Sequence, residues 1–282
     1  MLNELTDERF IPNSKGVKKL NRFRRIYFLV LLLLLPACAY RPKIIAENIS
    51  PQQIASVKEP TCLIGEEKLL YGISWLGIPA GRMNLEVKDI EKINGRDYYR
   101  LVCNAGPNNF FSFFFKSKYI LETYVDVESA LPLKSSRKRL PKGEIDEIIT
   151  FDRNNKIAQI NDGKAVKEIA LTQNSHDLLS FLYYFRVHGL ESGKKYDFDI
   201  VYGGKSWPVE MTTQGFCQLR LRDGKRIRVI AVKLSSALIL EIMGNKDLEA
   251  YVSADLKRIP VFFTVKTKMG KADTTLISEL DF

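Results

Sequence analysis

From about Glu67 to the C-terminus the chain alternates apolar and polar side chains with a period of two. Met83, Leu85 and Val87 alternate with Arg82, Asn84, Glu86 and Lys88. Tyr196, Phe198, Ile200 and Tyr202 alternate with Asp197 and Asp199, and Cys217, Leu219 and Leu221 with Gln218, Arg220 and Arg222. Val261, Phe263, Val265 and Met269 alternate with Thr264, Lys266 and Lys268. Such a period places one face of each segment on a core and the other in water. Asn94-Gly95 and Asp223-Gly224 suit two-residue hairpin turns, whose positive φ matches strand twist. Asn154-Asn155, Asp162-Gly163 and Gly203-Gly204 mark further breaks. The predicted fold is mainly β: an antiparallel meander curled into a half-barrel or barrel-like sheet.

Between Ser175 and Val187 the period changes. Leu178, Leu179, Leu182, Tyr183 and Phe185 follow helical spacing. Asn174 or Ser175 can cap the segment, and Asp177 reads as a cap or a first-turn charge favoured by the helix dipole. Gly189 is a stop signal. The spacing predicts one central amphipathic helix near 175–188, packed on the sheet and separating strand runs Glu67–Leu171 and Lys195–Phe282. A second short helix is expected near Leu234–Leu240.

Ahead of this domain, the apolar run Ile26–Leu35 follows Arg22, Arg24 and Arg25 and ends at Leu35-Pro36-Ala37-Cys38. Charged residues, a short apolar run and small residues are the layout of an export signal. The run is shorter than the roughly 20 apolar residues a membrane span needs. Residues 1–37 therefore read as a cleaved signal, with Cys38 lipidated as the first mature residue. A plain secretion signal and an uncleaved short anchor are the alternatives. More than one acyl chain at Cys38 would make anchoring stable. Ala39 after the cysteine resembles the outer-membrane lipoproteins of Gram-negative bacteria, so the expected location is the outer membrane facing the periplasm, with a soluble periplasmic protein as the alternative. Residues 38–64, with Pro42, Pro51 and Pro60 among polar residues, read as a tether. Residues 65–282 read as a single domain.

Charge narrows the partners. The chain holds 43 Lys and Arg against 33 Asp and Glu, a net +10, and seven and three of these lie in the first 37 residues, leaving +6 on the mature chain. An exported protein has little access to nucleic acid, so the surplus points to phospholipid head groups, lipopolysaccharide or acidic glycans, or serves solubility alone. Cys62, Cys103 and Cys217 allow one disulfide, in any of three pairings, and one leftover thiol. Cys103 and Cys217 fall on the apolar phase of expected strands. With only His176 and His188, and no Cys/His cluster at zinc spacing, no metal or cofactor is expected. Gly203-Gly204-Lys205-Ser206 fails as a phosphate loop, because Asp199 stands where the first glycine belongs and no helix pattern follows. There is no GxSxG elbow and no HExxH pair, and the expectation is that the chain is not an enzyme.

Three segments carry a resemblance. Tyr71-Gly72-Ile73-Ser74-Trp75-x-Gly77-x-x-x-Gly81, then Asp177-Leu178-Leu179-Ser180-x-Leu182-Tyr183-Tyr184-x-Arg186, then Asp255-x-x-Arg258-Ile259-Pro260 stand in an order similar to the bacterial envelope proteins grouped as domain of unknown function 3108. Gly215 falls where that family tends to place a turn glycine. In many members a proline follows the helix aspartate, where this chain has Leu178. The resemblance covers about Leu69 to Leu280. It implies a β-rich periplasmic or outer-membrane protein and supplies no activity and no catalytic residues.

Several residues are singled out by type. Trp75, Tyr183 and the aromatic run with Phe110, Phe111, Phe113 and Phe114 are candidate contacts for an apolar ligand, and each also suits a core position. Arg220, Arg222, Arg226 and Arg228, around the Asp223-Gly224 hairpin, are candidate contacts for an anionic surface, with a solvated face as the other reading. Arg137-Lys138-Arg139 form a second basic cluster. Arg186 suits a bond to strand carbonyls or to another carboxylate. The leading expectation is an envelope lipoprotein holding an acyl chain of a lipid or lipoprotein within the curved sheet. The alternatives are a scaffold binding a protein or glycan, and a hydrolase of envelope polymers.

Overall fold

The computed structural model describes residues 43–46, 67–113, 118–140, 145–221, 224–268 and 270–280, all within the unit Ala39–Phe282. The signal segment, Cys38, Cys62, Phe114, Phe115, Arg222, Asp223 and Met269 lie outside the described residues. Among the described residues, sixteen strands form one sheet. β1 (Lys43–Ala46) lies in the segment expected to be a tether. The first run is β2 (Lys68–Trp75), β3 (Ile78–Ile93), β4 (Arg96–Pro107), β5 (Lys118–Asp126), β6 (Pro132–Leu140), β7 (Ile145–Asp152), β8 (Ile157–Asn161) and β9 (Val166–Ala170). The second is β10 (Ser175–His176), β11 (Lys195–Tyr202), β12 (Lys205–Arg220), β13 (Arg226–Ser236), β14 (Asp247–Ser253), β15 (Pro260–Thr267) and β16 (Gly270–Leu280).

Within each run, strands pair with their neighbours in sequence. The runs join where the last strand meets the first: β16 pairs antiparallel with β2, Leu280 opposite Lys68 and Ala272 opposite Trp75. β9 and β10 are left at the ends of the sheet, and side chains bring those ends together. Val201 on β11 packs with Ile149, Phe151, Ala158 and Ile160 on β7 and β8. Glu147 on β7 accepts from the Gly203 and Gly204 amides at 3.3 and 3.0 Å. The sheet is thus barrel-like, as the alternation predicts.

Helix α1 (Leu178–His188) fills the interior. Leu179, Tyr183 and Val187 pack on β2 to β5, while Phe185 packs on β11 to β14. It starts three residues later than Ser175, because Ser175 and His176 pair in parallel with Asp199 and Ile200 of β11. The cap is therefore Asp177, not Asn174 or Ser175, and Ser180 completes a capping box. The second helix, α2 (Ala237–Met243), also starts late, since Leu234 to Ser236 stay paired with β14 or its approach. Ser236 caps α2 and Gly244 ends it in the left-handed region.

In β12 to β15 both faces are apolar. On β13, Ile230 and Val232 face the helix side, while Val229 joins Cys217, Leu219, Tyr251 and Phe262 in a separate buried cluster. Adjacent strand residues point to opposite faces, so this cluster lies on the outer side. Gly215 is not in a turn. It sits at a bulge in β12 with φ +142°, where register shifts by one residue against β13. Gly81 is a close approach: a Cβ there would lie 2.5 Å from the Gly106 carbonyl oxygen of β4.

Candidate functional site

The three motif segments meet inside the barrel. Arg186, near the end of α1, donates to both Glu67 carboxylate oxygens at 2.5 and 2.6 Å and to the Lys257 carbonyl at 3.0 Å. Its guanidinium lies 5.1 Å from the Tyr183 ring centroid. Arg258 donates to the Arg186 carbonyl at 2.8 Å, and the Tyr71 hydroxyl donates to the Pro260 carbonyl at 2.8 Å. Arg186 and Glu67 are each 4% exposed. Burial works against the charge on Arg186, but the bidentate bond to Glu67 prevails and holds its pKa above the ordinary value. Burial likewise raises the pKa of Tyr71 and of Tyr183. Arg186, Arg258 and Tyr71 each donate to an acceptor, while the buried Tyr183 hydroxyl has no hydrogen-bond partner, so the cluster reads chiefly as a lock between helix and sheet.

The other end of α1 is polar and buried too. Asp177 Oδ1 accepts from the Leu179 and Ser180 amides at 2.9 and 3.4 Å and from the Thr123 hydroxyl of β5 at 2.8 Å. Burial raises its pKa. Its Oδ2 has no hydrogen-bond partner, and beside it lies a gap of about 20 Å³, room for one water. His176 is fully buried among aromatic rings, 5.0 Å from Tyr184 and 5.7 Å from Phe198, and burial pushes its pKa down to about 3. A second gap, about 40 Å³, lies between Phe181, Phe185 and the β12 to β15 wall. Sites for small organic ligands run to roughly 300–1,000 Å³, so neither gap accommodates an acyl chain as it stands.

The described candidate ligand contacts divide between two places, the core and one end of the barrel. Tyr183 is a core residue on α1. Trp75 and Phe111 meet edge-to-face at 6.1 Å at one end of the barrel, with Phe110 5.3 Å from Phe111. Phe113, in the short turn Phe111–Phe113, is 81% exposed. Arg220, Arg226 and Arg228 lie at the opposite end, where Arg226 opposes Arg220 and Arg228 opposes Gln218. Arg228 stacks 4.6 Å over the Phe216 ring. Arg137 and Arg139 are drawn to Asp146, at 3.8 and 3.2 Å. Cys103 and Cys217 are buried thiols in separate clusters, and burial pushes the Cys103 pKa up to about 12. Among the described residues no group of three or more His, Cys, Asp or Glu side chains is placed to hold a metal.

A wider concavity lies on the outer face, a groove of about 830 Å³. Asp197, Asp199 and Glu210 line its floor, Leu240 of α2 forms one wall and Asn174 another. Asp199 accepts from the Thr172 hydroxyl at 2.8 Å, Asn174 donates to the Asp197 carbonyl at 3.1 Å, and Glu210 pairs with Lys195 at 2.7 Å. From sequence, these carboxylates are simply the polar phase of a strand. Their grouping depends on β11 pairing with β12, which sets Asp197 opposite Glu210, and on α2 folding beside them.

No curated protein matches this chain significantly. Among solved structures, a β-barrel-like protein of domain of unknown function DUF1849 from Brucella abortus is similar in fold: TM-score 0.52 at 6% identity, over 79% of this chain and 100% of that one. A protein with a YmcC-like fold from Bacteroides fragilis aligns with a TM-score of 0.37 at 7% identity, over 79% of this chain and 100% of that one. The family described as protein of unknown function (DUF3108) matches residues 70–277. With the opening, central and closing motifs joined in one buried lock, and with that match spanning most of its length, the chain belongs to the DUF3108 family.

Proposed function

We propose that this chain is a non-catalytic lipoprotein of the bacterial cell envelope, exported by residues 1–37 and held through acylated Cys38. Its domain acts as a rigid scaffold that binds a protein partner on its outer surface. The observation that carries the reading is the contrast in free volume: gaps of about 20 and 40 Å³ beside α1 against about 830 Å³ in the outer groove. Gaps that small beside α1 argue against carriage of an acyl chain there. The carboxylates of Asp197, Asp199 and Glu210 favour a partner segment bearing basic side chains, with Leu240 offering apolar contact.

The test has two arms. A photo-crosslinking residue at Glu210 is expected to capture an envelope protein in cells, and Asp197→Asn with Asp199→Asn to weaken that capture. Native mass spectrometry of protein purified without detergent is expected to show no lipid beyond the covalent anchor. A retained lipid with no crosslink at the groove would return the reading to a carrier. Labelled palmitate failing to attach to the chain, or attaching equally to Cys38→Ser, would remove the anchor.

A further inference from the structure

In a meander every second connection lies at the same end of the barrel. The β2–β3 turn, the β4–β5 connection, α2 between β13 and β14, and the β15–β16 turn all share one end. They also touch one another in sequence around the rim. Gly244, closing α2, lies against the Lys268 side chain of the β15–β16 turn. The Leu76 amide of the β2–β3 turn donates to the Lys271 carbonyl at 2.8 Å, and the Leu76 side chain lies over Gly270. Asn108, after β4, donates to the Pro79 and Ala80 carbonyls at 2.6 and 2.9 Å. The four connections therefore form one continuous rim.

That rim concentrates the exposed apolar surface. Leu76, Phe110 and Phe113 stand on its first two connections, and Leu240, Ile242 and Met243 on α2, all exposed. Val166 opens β9 at the same end, whereas Ile90, Leu256 and Ile277 are scattered elsewhere. Scattered apolar residues are ordinary on a protein surface, but a contiguous patch marks a contact. Exposed lysines stand at the same end: Lys118, Lys164, Lys205, Lys246 and Lys268, against Asp162, Glu241 and Asp247. Apolar and aromatic tips among lysines match a membrane interface, where the tips enter the acyl boundary and the ammonium groups meet anionic head groups. The chain joins the sheet at the other end, because Lys43 of β1 pairs with Arg220 at the β12–β13 hairpin.

We propose that this rim docks on the surface of an anionic phospholipid bilayer, with Phe113, Ile242 and Met243 inserting. Five residues from Cys38 to Lys43 span at most about 18 Å, and Lys43 pairs with Arg220 at the opposite end, so for a chain anchored through Cys38 the rim meets a second bilayer, not the one that holds the anchor. It shares Leu240 and Lys246 with the outer groove, but the residues tested, Phe113, Ile242, Met243, Lys118 and Lys268, line no part of that groove, so its failure leaves the scaffold reading standing.

The test uses the full chain carrying Cys38→Ser, Cys62→Ser and Phe113→Cys, so without the anchor, labelled at position 113 with an environment-sensitive fluorophore. A matching Lys92→Cys chain reports the opposite end. Each is mixed with phosphatidylcholine vesicles with or without phosphatidylglycerol. The expected result is a blue shift at position 113, quenched by a lipid-borne quencher, with anionic vesicles only and none at position 92. Ile242→Ser with Met243→Ser is expected to abolish the shift, and Lys118→Glu with Lys268→Glu to diminish it. Circular dichroism and thermal unfolding verify that the variants fold. A position-113 label that stays in water on anionic vesicles overturns the proposal. So does shielding at position 92 instead, or shielding at 113 that grows with protein concentration without vesicles, which would assign the rim to a second copy of the chain.

Discussion

The interior around α1 and the rim around α2 use the same residue types for opposite ends. Inside, Tyr183, Phe185 and Arg186 are buried, and the guanidinium is matched by a carboxylate and a carbonyl. At the rim, Phe113, Ile242 and Met243 face solvent beside lysines. The difference teaches that exposed apolar surface here is not left over from a poor core. Among the described residues, the gaps beside α1 measure about 20 and 40 Å³. Helix α1 packs against the inside of the sheet, and the contacts proposed above fall on the outside and at one end.

Four measurements would break or sharpen that contrast, taken from the largest expected effect downward. Arg186→Met strands the Glu67 carboxylate in the core, and removing one partner of a buried pair costs about 3–5 kcal/mol. Urea midpoints check it, and replacing Glu67 with Leu in the same chain should recover much of the loss. If Arg186→Met proved neutral, the lock would be no lock. Next, Gly81→Ala drives a methyl group toward the Gly106 carbonyl and should cost about 1–3 kcal/mol, as overpacking does. Gly106→Ala meets Lys118 Cγ at 2.7 Å rather than backbone and should cost less, since that side chain can change rotamer.

The third concerns pH. His176 stays neutral in the fold to about pH 3, while the unfolded chain takes up its proton near pH 6.5. Between those values the unfolded state binds the extra proton, so this group's contribution is intact above pH 6.5 and is lost as pH falls, by up to about 1.4 kcal/mol per pH unit. Urea midpoints from pH 7 to 4 should therefore fall more steeply for the native chain than for His176→Phe. Equal slopes would mean that water reaches His176. The smallest effect belongs to the rim: Ile242→Ser with Met243→Ser should alter stability by no more than about 0.5 kcal/mol per site, because exposed positions carry little. A large loss in thermal unfolding would show that the rim belongs to the core after all.

Several features were legible in the residues alone. Alternation through Met83, Leu85 and Val87 marks β3, and Asn94-Gly95 marks its hairpin, because period and turn chemistry are local properties of the chain. The spacing of Leu179, Tyr183 and Phe185 marks α1, though its start slipped by three residues because Ser175 and His176 found a strand to pair with. Arg186 was legible as a residue that seeks an acceptor. Glu67 was not, since it lies 119 residues away and only folding brings the two together.

By itself, then, the sequence determined a strand meander interrupted by one amphipathic helix, because side-chain periodicity and turn residues act over a few positions. The tertiary structure alone decided that β16 closes on β2, that α1 fills the space so enclosed, and that Leu76, Phe110 and Ile242 share one rim. Those outcomes depend on strand order and direction, which reverse at every turn and gather residues far apart in the chain. A one-dimensional pattern carries each strand's faces but not which strand ends come to lie side by side.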